Sequence, residues 1–162
     1  MYKIMTVCTG NICRSPTGEF LIKDAAQQAG LEVEVASSGI SDEEVGNPID
    51  RRAAKVLTEL NINTSAHRAQ QFTASCLDAY DLILAMDTNH YRSIMNMAKT
   101  DEQRKKIHLM REFDSAVSDQ EHDSLGIYGP WYGSQEDFYT TFEMIKAAVP
   151  GIIEFIKKHE GQ

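Results

Sequence analysis

The chain has 162 residues, enough for one domain, expected to span 1–162, with a sizeable buried core. Its hydrophobic content of 42% and charged content of 25% are ordinary for a globular protein in water. A net charge of −8 excludes general binding to nucleic acid or to an anionic membrane surface, so any anion site must be local, built from backbone N–H groups and one or two arginines.

In chain order, Lys3–Val7 reads as a short buried strand and Pro16 to Ala29 as a helix stopped by Gly30. Leu31–Ser37 alternates as a strand, and Ser38-Gly39 turns. Asn47-Pro48 opens a loop. Asp50–Leu60 is helical, with Ala53, Val56, Leu57 and Leu60 on one face. Asp81–Met86 is a near-continuous apolar strand. Thr88–Ala98 reads as a helix and Lys106–Met110 as a strand. A long terminal helix covers Gln135–Lys158, with Pro150-Gly151 as a place where it could break. This alternation predicts a single α/β domain with a central parallel sheet of about four strands and helices on both faces. In such sheets the active crevice lies past the carboxyl ends of the strands, where Cys8 falls.

No apolar run approaches the roughly 18 residues of a membrane span. The apolar start Met1–Val7 is too short for a secretory signal. Three cysteines without a C-x-x-C pair suit a reducing cytoplasm, with thiols kept for reactivity or packing.

The chemistry concentrates in Cys8-Thr9-Gly10-Asn11-Ile12-Cys13-Arg14-Ser15, a phosphate loop placed directly after the first strand. The helix that follows begins with unpaired N–H groups, and these with the helix dipole attract an anion. Gly10 lets the backbone approach a ligand. Asn11 tolerates a left-handed conformation and can brace the loop. Arg14 offers a planar fork to two phosphate oxygens, which lysine could not. The same positive surroundings favour the Cys8 thiolate as a nucleophile. Ser15 can donate its hydroxyl to that thiolate, or cap the helix with Pro16 in the first helical position. Set against this, a cysteine after a buried strand is commonly a small core residue, and C-x5-R recurs by chance. The strand, glycine, asparagine and Ser-Pro context favours catalysis.

Over nearly its whole length the chain resembles the low-molecular-weight protein tyrosine phosphatases. The resemblance rests on VCTGNICRSP (Val7–Pro16), Ser37-Ser38-Gly39, Pro48-Ile49-Asp50-Arg51-Arg52-Ala53, His67-Arg68-Ala69-Gln70-Gln71, Asp81–Asp87 and Leu109–Phe113. It implies two-step phosphoryl transfer with Cys8 as nucleophile and a cysteinyl-phosphate intermediate. Arg14 and the loop N–H groups would hold the equatorial oxygens, with no metal and no cofactor. It also implies phosphotyrosine proteins and small aryl phosphates as substrates, and phosphate, sulfate or vanadate as inhibitory oxyanions. Thr9, Gly10, Asn11, Ile12 and Cys13 would contact the phosphoryl group, and Trp131 and Tyr132 would wall an aryl ring. A reversible Cys8–Cys13 disulfide would shield the nucleophile; a buried small residue is the other reading of Cys13. Cys76 reads as inert and His67 as a scaffold residue.

Two departures stand out. The family carries its general acid in Asp-Pro-aromatic-Tyr-Gly, whereas this chain reads Tyr128-Gly129-Pro130-Trp131-Tyr132-Gly133, so Gly129 occupies the acid's position. Turnover is then slowed, or another carboxylate such as Asp123 or Asp137 reaches in. The second departure is the pocket rim, Ile40–Val45, where an aromatic gives way to Asp42, Glu43 and Glu44. These disfavour acidic phosphopeptides, or form a solvated loop. Alternatives are a phosphoryl-binding or substrate-trapping form that has lost turnover, and arsenate reductase. The latter needs late cysteines, where only Cys76 is available. Phosphoarginine hydrolysis would use a threonine in place of Ile12.

Overall fold

β1 (Tyr2–Cys8) pairs in parallel with β2 (Val33–Gly39) on one side and with β3 (Leu82–Ala85) on the other, and β3 pairs in parallel with β4 (Ile107–Leu109). The sheet order is β2-β1-β3-β4 in this computed structural model, which describes residues 1–127, 129–130 and 133–159. Helices α1 (Arg14–Gln28), α2 (Arg51–Thr58) and α6 (Gln135–His159) share one core with Ile4, Val35, Leu82 and Leu84. Short α3 (Cys76–Ala79) and α4 (Thr88–Met97) share a second core with Met5, Val7, Ile83 and Ala85. Successive strand residues thus serve opposite faces. Both faces are covered, so β1 and β3 need apolar residues at nearly every position. The predicted α/β domain with a four-stranded parallel sheet is the fold observed.

Element boundaries moved by small amounts with physical causes. α1 begins at Arg14 rather than Pro16, and its cap position is Cys13, without a side-chain cap bond. Ser15 therefore lies in the first turn instead of capping it, and Pro16 is not the first helical residue. Gly30, at φ 71°, ends this helix as expected. β2 starts at Val33 and runs on to Gly39 because Cys8 and Gly39 pair across the ladder. α5 (Asp101–Lys105), α3 and two 3₁₀ turns at Met110–Phe113 and His122–Ser124 are too short to show a periodicity in sequence.

The terminal helix does not break at Pro150-Gly151. α6 runs unbroken through Pro150. Ile145, Ala148 and Val149 on one side of the proline, and Ile152, Ile153 and Ile156 on the other, are all buried. Burying that continuous stripe outweighs the one backbone bond a proline removes. Gly151 has a packing role, since a Cβ there would collide with the Phe113 carbonyl of the neighbouring 3₁₀ turn.

Chain direction positions the site. From β1 the chain moves out to β2, then returns to the other side of β1 for β3. The carboxyl ends of β1 and β3 therefore flank the point where the winding reverses, where open α/β sheets hold ligands. Cys8 ends β1, and Asp87 follows β3 by two residues.

Candidate active site

The loop after β1 is held by its carbonyls. Cys8 O accepts from Ile40 N at 2.9 Å, Thr9 O from Ser41 N at 2.9 Å, and Asn11 O from His67 Nε2 at 2.7 Å. Ile12 O accepts from Asp50 N at 2.7 Å, and Cys13 O from both Thr17 N and Thr17 Oγ1. There are no cis peptide bonds among the described residues, and a trans peptide carries the next residue's N–H opposite its carbonyl. Five outward carbonyls thus direct the N–H groups of Thr9, Gly10, Ile12, Cys13 and Arg14 to the inner side. That side is a cleft of about 380 Å³ with Cys8, Thr9, Gly10, Ile12, Cys13 and Arg14 along its floor. Ser41, Glu43, Glu44, Gly129 and Pro130 complete its lining.

Gly39 backs this loop so closely that a Cβ on it would lie 2.6 Å from the Thr9 carbonyl and 3.0 Å from Asn11 N. Only glycine fits there, which gives the Ser-x-Gly turn a steric reason.

Asn11 and Ser15 are fully buried and do not line the cleft. Asn11 takes the left-handed conformation, φ 60°. Its Nδ2 donates to Ser15 Oγ at 2.8 Å and Ser37 Oγ at 2.9 Å, while its Oδ1 accepts from Gln70 N. Ser37 Oγ in turn donates to Glu19 at 2.6 Å. Asn11 is thus a brace rather than a direct ligand. Ser15 Oγ lies 3.0 Å from Cys8 Sγ and 3.2 Å from the Ser38 carbonyl. It has one proton for two acceptors, and a thiolate would be the stronger claimant. His67 must donate from Nε2, because its partner is a carbonyl; it is a scaffold residue, as its sequence context suggested.

The two loop thiols differ. Burial, then the neighbouring Cys8 and Asp50 charges, push the Cys13 thiol far up, and Arg14 and Arg52 only partly offset this. Cys13 stays protonated at neutral pH, while Cys8 ends β1 and lines the cleft.

Arg14 is held by an acid the sequence did not single out. Its Nη1 donates to Asp87 Oδ2 at 3.0 Å and to the Ile127 carbonyl at 3.1 Å. Asp87 also caps α4, its Oδ1 accepting from His90 N at 3.1 Å. Burial raises the Asp87 carboxyl, but His90 and Arg14 prevail and leave it below the usual carboxylate value. For His90, burial lowers the imidazole most; Asp87 pulls it back, Arg14 pushes it down, and the balance is about 4. His90 is neutral at pH 7. Its Nε2 lies 2.8 Å from Thr9 Oγ1. The signal for Asp87 was positional, a polar residue just past the apolar strand beside β1.

Gly129 faces this guanidinium: a Cβ on it would sit 3.1 Å from Arg14 Cζ and 3.2 Å from Nη2. Neither Asp123 nor Asp137 lines the cleft. Asp137 instead accepts from Ser134 N at 2.8 Å, before the first turn of α6. The carboxylates at the cleft are Glu43 and Glu44, with Glu44 Oε2 accepting from Asn47. Tyr128, Trp131 and Tyr132 lie outside the described residues. Cys76 packs in the second core and does not line the cleft.

Arg14→Lys should weaken phosphate and vanadate binding about 10- to 100-fold, since a bond between charged groups is worth roughly 1.5–3 kcal/mol. The shift of the melting midpoint with oxyanion concentration measures this. Equal shifts in parent and variant would remove the fork from the site.

N–H groups turned inward, a clamped arginine and the Cys8 thiol share one cleft, an arrangement of donors suited to a tetrahedral anion. The family described as low molecular weight phosphotyrosine protein phosphatase matches residues 3–162. A low molecular weight protein-tyrosine-phosphatase of Streptomyces coelicolor is 33% identical, covering 97% of this chain and 94% of its own. A protein tyrosine phosphatase from Entamoeba histolytica superposes with a TM-score of 0.89 over 99% of both chains, at 23% identity. The arginine phosphatase YwlE, solved as a cysteine-to-serine mutant with a phosphorylated active-site serine, superposes at 0.83 over 96% of both chains with 28% identity. The chain belongs to the low-molecular-weight protein tyrosine phosphatase family.

Proposed function

We propose that this phosphatase hydrolyses phosphotyrosine in proteins and small aryl phosphate monoesters through a Cys8 phosphate intermediate. Its first step is slowed because Gly129 replaces the general acid. The observation that carries this reading is the set of five outward-bonded carbonyls, which turns the loop N–H groups away from those partners, toward the cleft that Cys8 lines.

A phosphoryl dianion seats its equatorial oxygens on those N–H groups and on Arg14. Cys8 Sγ attacks phosphorus, the ester P–O bond breaks, and the aryl oxide departs. Water then attacks phosphorus, and the P–S bond breaks with its electrons returning to Cys8. Ser15 Oγ steadies the thiolate at both stages. Free phosphate, sulfate or vanadate compete for the same cradle. The chain's three free thiols suit a reducing, cytoplasmic setting. Among the described residues no helix is long and apolar enough to cross a membrane.

Ile12, buried at the cleft, favours an aryl ring over a guanidinium, against a phosphoarginine substrate. The position of Cys76 away from the cleft disfavours the cysteine relay of an arsenate reductase. Gly129 supports a second reading, a form that binds phosphoryl groups with little turnover.

Stopped-flow mixing with 4-nitrophenyl phosphate separates the two. A nitrophenolate burst stoichiometric with protein, followed by a slower steady rate, supports the phosphatase. Binding without any burst or turnover supports the second reading.

Peroxide should link Cys8 to Cys13 reversibly, detected by peptide mapping. Sulfinic acid on Cys8 with Cys13 still free would remove the protective role.

A further inference from the structure

We infer that Thr9 and His90 form a proton-accepting path for hydrolysis of the Cys8 phosphate intermediate, on the side of the cleft where Gly129 supplies no carboxylate. This rests on the covalent mechanism proposed above.

Thr9 Oγ1 stands at the cleft, 2.8 Å from His90 Nε2 and 3.5 Å from Arg14 Nη2. The Gly129 backbone approaches that same nitrogen, since its Cβ would lie 3.2 Å from it. The Thr9 hydroxyl and the vacant acid position therefore flank one arm of one guanidinium. Behind Thr9, His90 is 4% exposed, and its Nδ1 has no hydrogen-bond partner, although Asp87 Oδ1 lies 3.2 Å away.

That contact selects a tautomer. A lone pair on Nδ1 would face the Asp87 carboxylate and be repelled, so the proton sits on Nδ1. Nε2 is then an acceptor, and the Thr9 hydroxyl must donate to it. One Thr9 lone pair then accepts weakly from Arg14 Nη2 at 3.5 Å, and the other is left for a water in the cleft. A threonine oxygen so arranged, backed by a neutral imidazole and a carboxylate, has the order of groups that activates a hydroxyl elsewhere. Here the hydroxyl passes a proton along instead of attacking.

In the hydrolysis step a water oxygen bonds to phosphorus while the P–Sγ bond breaks, its electron pair returning to Cys8 as thiolate. The water gives one proton to Thr9 Oγ1, and the Thr9 proton moves to His90 Nε2. The resulting imidazolium faces Asp87 until the proton returns by the same path to solvent or departing phosphate. The path is one-sided. Burial keeps His90 from taking a second proton at neutral pH, so its Nε2 has none to pass through Thr9 to the leaving group in the first step. Hydrolysis is assisted and aryl release is not.

The test uses the full chain and 4-nitrophenyl phosphate. The phosphoenzyme is formed, excess substrate is removed, and loss of the adduct is followed by acid quench and intact mass. Thr9→Val and His90→Gln should slow that loss by about 10-fold, less than the roughly 10²–10⁴ of a general base matched to the working pH, because an imidazole whose pKa is held to about 4 is a weak proton acceptor. Adduct formation should fall far less, and the solvent deuterium isotope effect on adduct loss should shrink. Thr9→Ser should recover most of what Thr9→Val loses. Unchanged adduct loss in both variants overturns the path. An equal fall in formation and loss, with weakened vanadate binding, also overturns it, because the pair would then only support the loop. If neither the parent in rapid-quench sampling of the first turnover nor Cys8→Ser forms an adduct, the covalent mechanism itself fails, an outcome distinct from either of these.

Discussion

Cys8→Ala should end turnover of phosphomonoesters, with a loss of at least about 10⁴-fold, and leave binding of phosphate and sulfate largely in place. The two effects separate because they depend on different atoms. On the mechanism proposed above, a four-coordinate oxyanion would be held by N–H groups whose orientation is fixed by outward carbonyl bonds and by Arg14, none of which involves Sγ. The nucleophile contributes only the new bond to phosphorus. Cys13 cannot replace it, since burial keeps that thiol protonated. Cys8→Ser should behave differently from alanine. A serine oxygen in the same cradle is a poor nucleophile, but once phosphorylated it is also a poor leaving group, so any adduct would accumulate. Intact mass should therefore show a transient adduct on the parent, none on Cys8→Ala, and a slow, persistent one on Cys8→Ser. An adduct on Cys8→Ala would assign the nucleophile elsewhere.

How far the sequence revealed this site depended on how local each part is. β1, β3 and the loop between β1 and α1 were legible because a buried strand, a glycine and an arginine at fixed spacing leave a contiguous pattern. The brace at Asn11 was legible in kind, since asparagine tolerates positive φ, but its partners Ser37 and Gln70 come from distant segments. Asp87 and His90 were read only as parts of a strand end and a helix. Nothing in their local pattern shows that β3 lies beside β1, and that pairing alone brings them to Arg14 and Thr9. The start of α1 was misread because the loop's last residues already turn helically, which brings Ser15 against Cys8 rather than to the cap. Pro150 was weighed by its local cost, while the apolar stripe around it is satisfied by tertiary packing. The acidic rim was visible in sequence. That Glu43 and Glu44 line the cleft, and Asp123 and Asp137 do not, required the fold.

Gly129→Asp should raise phosphotyrosine turnover by roughly 10²-fold or more, in the range of general acids. The leaving oxygen needs a proton more urgently as its conjugate acid weakens. A nitrophenolate departs almost unaided, whereas the phenolate of tyrosine, with a pKa of about 10, does not. The parent should therefore show rates that fall steeply with leaving-group pKa across a series of aryl phosphates, and the variant should flatten that slope. Geometry favours the placement, because a Cβ at this position projects over the Arg14 guanidinium at the cleft. At 3.1 Å from Cζ the guanidinium must yield by a few tenths of an ångström, or the new carboxyl must turn toward the leaving group. Two opposing charges act on that carboxyl. Arg14 favours its ionised form, and a bound phosphoryl dianion favours its protonated form. Protonation should therefore be promoted by substrate, and kcat should acquire a falling limb at higher pH as the acid loses its proton. Vanadate affinity should change less than kcat, because the proton moves only in the transition state. If the slope and rate stay as they are in the parent, another carboxylate already protonates the leaving group. The lining of the cleft then makes Glu43→Gln and Glu44→Gln the variants to compare, each expected to steepen the leaving-group dependence if its carboxyl is that acid.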